Sequence, residues 1–123
     1  MEKKSYKITF SLQEGYEAGS TIHDIRDAER VIREWLTMRI KSKQPIINGL
    51  LQQGTLFFPS KNGDELITVS PTAIYTGELT EPADFERPDT EVKQTLESLA
   101  IMLKEKLRQE AVYINYLNTI WCI

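Results

Sequence analysis

His23, Asp24 and Asp27 come closest, of all residues in this chain, to a reactive set. His23 and Asp27 are four apart, so on a helix they share a face and can hold a metal ion or move a proton. The same residues have a plainer use. Acidic side chains belong at a helix start, where they offset the positive end of the dipole. Two or three ligands from a single turn leave a metal site incomplete. His23 is also the only histidine, which excludes multi-histidine metal chemistry. No metal and no cofactor is expected. Cys122, the single cysteine, has no neighbouring base or electropositive setting of the kind a catalytic thiol needs. Between Trp121 and Ile123 it reads as a small apolar strand residue, so no catalytic residue is assigned.

The loop over residues 13–20 is the stronger candidate for binding. Gly15 and Gly19 let backbone amides approach a ligand, and Ser20 and Thr21 sit beside them at an expected helix start. Glu14, Tyr16, Ser20, Thr21 and His23 are therefore the candidate ligand-binding residues. The run lacks the Gly-Lys-Ser/Thr ending of a P-loop and the G-x-G-x-x-G fingerprint. Glu14 and Glu17 also repel an anion, and a plain flexible connection accounts for the composition equally. A second cluster, Glu78, Glu81, Asp84, Glu86 and Asp89 around Phe85, suits a cation or a basic partner surface. Its proline-bearing context reads more simply as a solvated loop.

The elements that must position these residues follow from hydrophobic period. Tyr6, Ile8, Phe10 and Leu12 alternate with Lys7, Thr9 and Ser11, which marks a strand with one buried face. Ile22, Ile25, Ala28, Ile32, Trp35 and Leu36 form a helical stripe over 22–40, with Ser20 or Thr21 as the cap and Thr21 and Asp24 at capping-box spacing. Pro45 prevents its continuation. Residues 46–59 are extended, with a bend expected near Gly49 or Gly54. Asn62-Gly63 suits a type I′ hairpin turn. Residues 66–70 form the return strand, which Pro71 should end or bulge, because proline cannot donate to a ladder. Val92, Leu96, Leu99, Leu103 and Leu107 make a second helical stripe beginning at Asp89 or Thr90. Residues 111–123, rich in β-branched and aromatic types, read as one last strand.

That order, β-α-β-β-α-β, resembles the ferredoxin-like superfold, and the stretch Gln109-Glu110-Ala111-Val112 looks like part of small bacterial domains with no assigned activity. The resemblance implies an α+β fold, two helices on one face of a mainly antiparallel four-stranded sheet, over a single domain of residues 1–123. It implies no functional residue, since one superfold hosts many activities. Small regulatory ligand-binding domains share this topology and often pair sheets in dimers. The expected core includes Ile8, Phe10, Ile25, Ile32, Trp35, Leu56, Leu96, Leu99, Leu103 and Ile114.

Apolar residues fall on both parities of the last segment: Val112, Ile114 and Ile120 on one, Tyr113, Leu117, Trp121 and Ile123 on the other. A strand buried on both faces reads this way. Tyr113, Tyr116 and Trp121 are therefore the expected interface residues, with the outer sheet face covered by a second subunit or by another protein. RNA-recognition domains share the element order, but no RNP1 pattern is present and residues 66–70 hold no aromatic.

The chain has 15 Lys and Arg against 18 Asp and Glu, a net charge of −3, which argues against non-specific nucleic-acid binding. One cysteine forbids an internal disulfide and fits a reducing compartment. No run reaches the length of a membrane span. The reading is a soluble cytoplasmic protein, a non-catalytic binding or protein-interaction module that acts as a homo-oligomer. One alternative is a small enzyme or ligand-binding protein using residues 13–23. Another is a structural assembly subunit.

Overall fold

Alternation becomes β1 (Ser5–Ser11), whose Tyr6, Ile8 and Phe10 are buried while Ser5 and Lys7 are exposed. The computed structural model describes residues 3–15, 19–60 and 66–123. Asn62-Gly63 and Tyr16 lie outside the described residues. The first helix, α1 (Ile25–Lys41), buries Ala28, Val31, Ile32 and Trp35. It begins later than its period suggests. Asp24 is the N-cap, accepting from the Arg26 N–H, and a capping box links it to Asp27. Thr21 has no part in that cap. Ile22 is drawn instead into a short bridge with Gln13 and is exposed.

Both helices end without glycine. Ser42 closes α1, and Lys43 takes a left-handed backbone (φ 55°) while the Gln44 N–H donates to Arg39 O at 2.9 Å. This is a Schellman closure. The second helix, α2 (Asp89–Lys106), ends the same way through Arg108 (φ 51°). A side chain at such a position costs energy that glycine avoids. Lys43→Gly is therefore expected to stabilise the protein by about 1 kcal/mol, read as a higher urea midpoint at unchanged slope. A lower midpoint would contradict the cap assignment.

The sheet has five strands in the order β2-β3-β1-β4-β5, every pair antiparallel. These are β2 (Leu50–Pro59), β3 (Ile67–Glu78), β4 (Val112–Tyr116) and β5 (Thr119–Cys122), with a short 3-10 helix (Pro82–Glu86) before α2. The order of the first four strands is that of a ferredoxin-like sheet, with β5 added at the edge, so the fold class is the α+β one expected. Residues of α1, α2 and the inner sheet face form one core cluster. Among the described residues no helix is long and apolar enough to cross a membrane.

Three expectations need correction. Residues 111–123 are not one strand but a hairpin, in which Tyr116 pairs with Thr119 across Leu117 and Asn118. Its turn has a left-handed Leu117 (φ 55°). The turn resets the parity. Val112, Ile114 and Tyr116 face the helices before it, and Trp121, which pairs with Ile114, does so after it. The mixed parity therefore comes from the turn and needs no cover on the outer face.

Pro71 lies inside β3 rather than ending it. Its carbonyl accepts from the Leu12 N–H at 2.9 Å, so its ring nitrogen faces the same side. The Leu12 carbonyl that a residue N–H would have reached accepts from the His23 N–H at 2.6 Å instead. No ladder acceptor is stranded by the proline. Leu56, finally, is half exposed and outside the core. The register sets it opposite Ser70, on the face of the ribbon away from Ala73, Tyr75 and the helices, while Phe57, Ile67 and Val69 on the inner face of this far half are not covered by any of the described residues.

Candidate functional site

The loop after β1 is a closed clasp. Glu14 N–H donates to Thr21 O at 2.8 Å, next to the Gln13–Ile22 bridge. Positive φ at Gly15 (82°) and Gly19 (87°) makes the reversal possible. His23 stands between two carboxylates: Nδ1 lies 3.3 Å from Asp27 Oδ2, and Nε2 lies 3.6 Å from Glu14 Oε1. Arg108 Nε sits 3.8 Å from the same Glu14 oxygen. The fold thus brings Glu14 and His23 together, with Asp27. Thr21 is exposed, Ser20 is half-buried, and Tyr16 is outside the described residues. Two surface clefts open near the two ends of α2, and neither is lined by residues 13–23. Among the described residues no group of acidic, histidine and cysteine side chains could hold a metal ion.

Of the three aromatics expected at an interface, only Tyr113 belongs to the outer face, where it is half exposed. Tyr116 is fully buried beneath α2, and its hydroxyl donates to Asp89 Oδ1 at 2.7 Å. Lys4 Nζ reaches the same oxygen at 3.1 Å. The Tyr116 hydroxyl, then Lys4, hold the Asp89 carboxyl below its ordinary range and fix the first residue of α2 to the sheet. Trp121 lies on the helix side, partly buried against the core.

The cleft near the start of α2 has a more chemical lining. It encloses about 360 Å³ between the ends of β1 and β3, residues 45–48, the 3-10 helix and the first turn of α2. Two tyrosines hold residues 47–48 in place as posts, and of the two only Tyr6 lines the cleft. Tyr6 on β1 donates its hydroxyl to Asn48 O, and Tyr75 on β3 donates to Ile47 O at 2.8 Å. Burial pushes both phenols up to about 12; Tyr75 and Asp84 add to the effect on Tyr6, and Arg87 opposes it. Both hydroxyls therefore act as donors at neutral pH, not as bases.

Glycine lets the posts stand so close. A Cβ on Gly49 would lie 2.6 Å from the Tyr75 ring, and one on Gly77 would lie 2.7 Å from both Asn48 O and Tyr6 Oη. Gly77→Ala must push apart the two partners of a buried hydrogen bond. We expect it to cost about 1–3 kcal/mol in urea denaturation, the usual scale of overpacking. Gly54→Ala, where nothing lies within 4 Å, is the control for clash alone. Equal losses for the two would mean that the contact does not matter.

Arg87 closes the cleft. Nη1 donates to Ile46 O at 3.0 Å, Nε donates to Glu91 Oε2 at 2.9 Å, and Asp84 Oδ1 is 3.6 Å from Nη1. Nη2 is buried with no hydrogen-bond partner. Glu78 lines the cleft as well and, among the described residues, pairs with an exposed Lys3 at 3.8 Å. Sequence reasoning missed this site by treating 78–89 as a solvated acidic loop. One signal was available: Arg87 is the only Lys or Arg between Glu78 and Glu91.

No family model and no curated protein sequence matches the chain. Solved structures do. A phage SAM lyase in complex with S-methyl-5′-thioadenosine is 14% identical, with a TM-score of 0.64 over 98% of this chain and 88% of that one. The same lyase in the apo state gives 14% identity and a TM-score of 0.64, with 98% and 87% covered. A hydantoinase/carbamoylase family amidase from Burkholderia ambifaria aligns at 13% identity and a TM-score of 0.35, over only 28% of its length. At these identities the likeness to the lyase is one of fold.

Proposed function

We propose that this protein is a small enzyme that binds S-adenosylmethionine and releases S-methyl-5′-thioadenosine from it. The observation that carries the reading is the extent of the fold likeness, 98% of this chain against 88% of the phage lyase. Nearly the whole of a small enzyme is matched, not a module within a larger one. The chemistry asks little of the protein beyond placement. A sulfonium is its own leaving group: as an oxygen of the amino-acid chain's own carboxylate closes on the carbon bound to sulfur, the C–S bond breaks, sulfur keeps the electron pair and becomes a neutral thioether, and the chain departs as a lactone. Orientation and favourable charge are what a site must supply. The cleft at Tyr6, Glu78, Asp84, Arg87 and Glu91 offers carboxylates for a cationic ligand, and a cytoplasmic location belongs to the same reading.

The test is to incubate purified protein with S-adenosylmethionine and follow methylthioadenosine by chromatography against a protein-free blank. Product above the blank is expected. No product, together with no calorimetric binding of methylthioadenosine, would sink the reading.

A second reading keeps the protein as an interaction module or assembly subunit that acts as a homo-oligomer. It is favoured by the inner face of the far half of the β2–β3 ribbon, where Phe57, 68% exposed, pairs with Val69 beside a similarly exposed Ile67. Contiguous apolar surface of this kind marks contact sites. Sedimentation velocity checks it: association that Phe57→Ser abolishes supports the reading, and a monomer at high micromolar concentration removes it.

A further inference from the structure

The two edges of the sheet are unlike. β5 is four residues long, while β2 runs for ten, and none of Leu50–Pro59 carries a charge. A long uncharged edge offers its unpaired backbone groups to any extended strand; shortness or charge blunts such an edge in proteins that stay monomeric. Register decides which groups are unpaired. Ser60 N–H donates to Leu66 O, and Pro71 O, opposite Thr55, turns toward β1 to accept from the Leu12 N–H. Even-numbered residues of β2 therefore aim N–H and C=O at β3, and odd-numbered ones aim them outward. Leu51, Gln53, Thr55 and Phe57 each present a donor and an acceptor along the free edge, and Pro59 an acceptor alone.

We infer that a second copy of this chain pairs with β2 along this edge, antiparallel about a twofold axis at Gly54, joining the two five-stranded sheets into one. Symmetry selects the register. A twofold axis normal to the sheet keeps both inner faces on one side, so residues that face each other share a parity. With Gly54 on the axis, Leu51 faces the partner's Phe57 and Gln53 faces the partner's Thr55. All of these are outward-pointing residues, so each pair exchanges both backbone bonds. An axis at Gln53 would leave Phe57 unpaired, and one at Thr55 would set Leu51 against the donorless Pro59. Two observations select a second copy over a different partner. The edge has no charge to repel its own image across the axis. The same rotation also lays the far half of each ribbon, whose Phe57, Ile67 and Val69 lack cover, beside the half of the partner's ribbon where Leu51 packs on the core and helices stand on the same face. The pairing uses both long edges and leaves the short β5 edges, so the assembly closes as a dimer. The inference rests on the second reading above, the homo-oligomer, and names its partner and its contact.

Sedimentation velocity and residue-resolved amide exchange on the intact chain test it. The parent is expected to sediment as a dimer at high micromolar concentration. There the amides of Leu51, Gln53, Thr55 and Phe57 should exchange about tenfold or more slowly than after dilution to monomer, while those of Gln52 and Leu56, bonded to β3, change little. Thr55→Pro removes one outward donor and no bond to β3, so it should give a monomer with an unchanged circular dichroism spectrum. A charge swap covers the case in which that proline disturbs the strand. Gln53→Lys with Thr55→Lys sets like charges opposite each other across the axis and should weaken the dimer about tenfold; Gln53→Lys with Thr55→Glu should restore it. A folded Thr55→Pro variant that still dimerises, or a dimer indifferent to the sign of the charge at position 55, overturns the edge pairing and leaves the homo-oligomer reading standing. A parent that stays monomeric removes both and leaves the edge to an extended segment of a different protein.

Discussion

Above about pH 10 the protein is expected to unfold cooperatively instead of titrating as a folded chain. Three phenols are responsible. Tyr6, Tyr75 and Tyr116 are all buried, and burial raises each; the first two reach about 12, and Tyr116 is pushed up further by the Asp89 carboxylate that accepts its proton. The sign follows from linkage. A folded pKa above the unfolded value of about 10 contributes stability that is complete below pH 10 and is lost as pH rises through the folded value. Each tyrosine contributes a slope of about 1.4 kcal/mol per pH unit in that window, so three together approach about 4 kcal/mol per unit. Two units remove about 8 kcal/mol, so for a stability in the lower half of the usual range of about 5–15 kcal/mol the midpoint falls between pH 10 and about 12. Tyrosinate absorbance and far-ultraviolet circular dichroism should change together, and Tyr75→Phe should make the transition shallower in pH. Ionisation of these phenols with helical signal intact would show that they are not sealed. Two of the three are the posts of the cleft, so ligand affinity should vanish with the same midpoint.

How much of this was legible in the chain depends on whether a feature is local. The alternation of Tyr6, Ile8 and Phe10 and the stripes of Ile32–Trp35 and Leu96–Leu99–Leu103 are statements about neighbours, and they placed β1, α1 and α2 on the core. The first helix start was misread because two cap candidates lie close together. Thr21 has the spacing, but the Gln13–Ile22 bridge holds that segment extended and leaves Asp24 as cap. The closing hairpin was missed because Leu117-Asn118 lacks glycine. Its trace was the change of apolar parity between Tyr116 and Trp121, which was taken for burial on both faces. Leu56 shows a different limit: residues 46–59 do not alternate cleanly enough to say which parity faces the helices, and the register sets Leu56 opposite Ser70 on the outer face. The cleft is non-local altogether. Tyr6, Ile46, Glu78 and Arg87 meet only because β1 and β3 pair antiparallel with Tyr6 opposite Gly77. The clasp residues Glu14 and His23 did come together, yet with their partners on each other and on Asp27, not around an open space.

Replacing Trp35 with alanine is expected to remove about 3–5 kcal/mol, a large part of the total stability. Trp35 is 1% exposed and is the largest side chain that α1 puts into the core. Its Nε1–H donates to Ser98 Oγ at 3.0 Å, tying α1 to α2, and the Arg39 guanidinium lies 5.5 Å from its ring centroid. Three contributions can be separated. Ser98→Ala removes the hydrogen bond and should cost about 1 kcal/mol. Trp35→Phe keeps an aromatic ring but loses the bond and part of the volume, and should fall between. Arg39→Ala removes the cation over the ring, worth about 0.5–1 kcal/mol at a half-exposed site, together with the Nε bond to Pro45 O at 2.9 Å. The order Trp35→Ala, Trp35→Phe, Ser98→Ala by decreasing loss, measured in urea, is the expected outcome. A Trp35→Ala variant within about 1 kcal/mol of the parent would mean that α1 is held by something other than this contact. The consequence reaches the cleft. From α1 the chain passes through the Lys43 turn directly to Ile46, Ile47 and Asn48, whose carbonyls take the bonds from Arg87, Tyr75 and Tyr6. A helix loosened at Trp35 cannot hold that segment over its posts. At temperatures where Trp35→Ala is still mostly folded, its ligand affinity should already be reduced, while Ser98→Ala retains it.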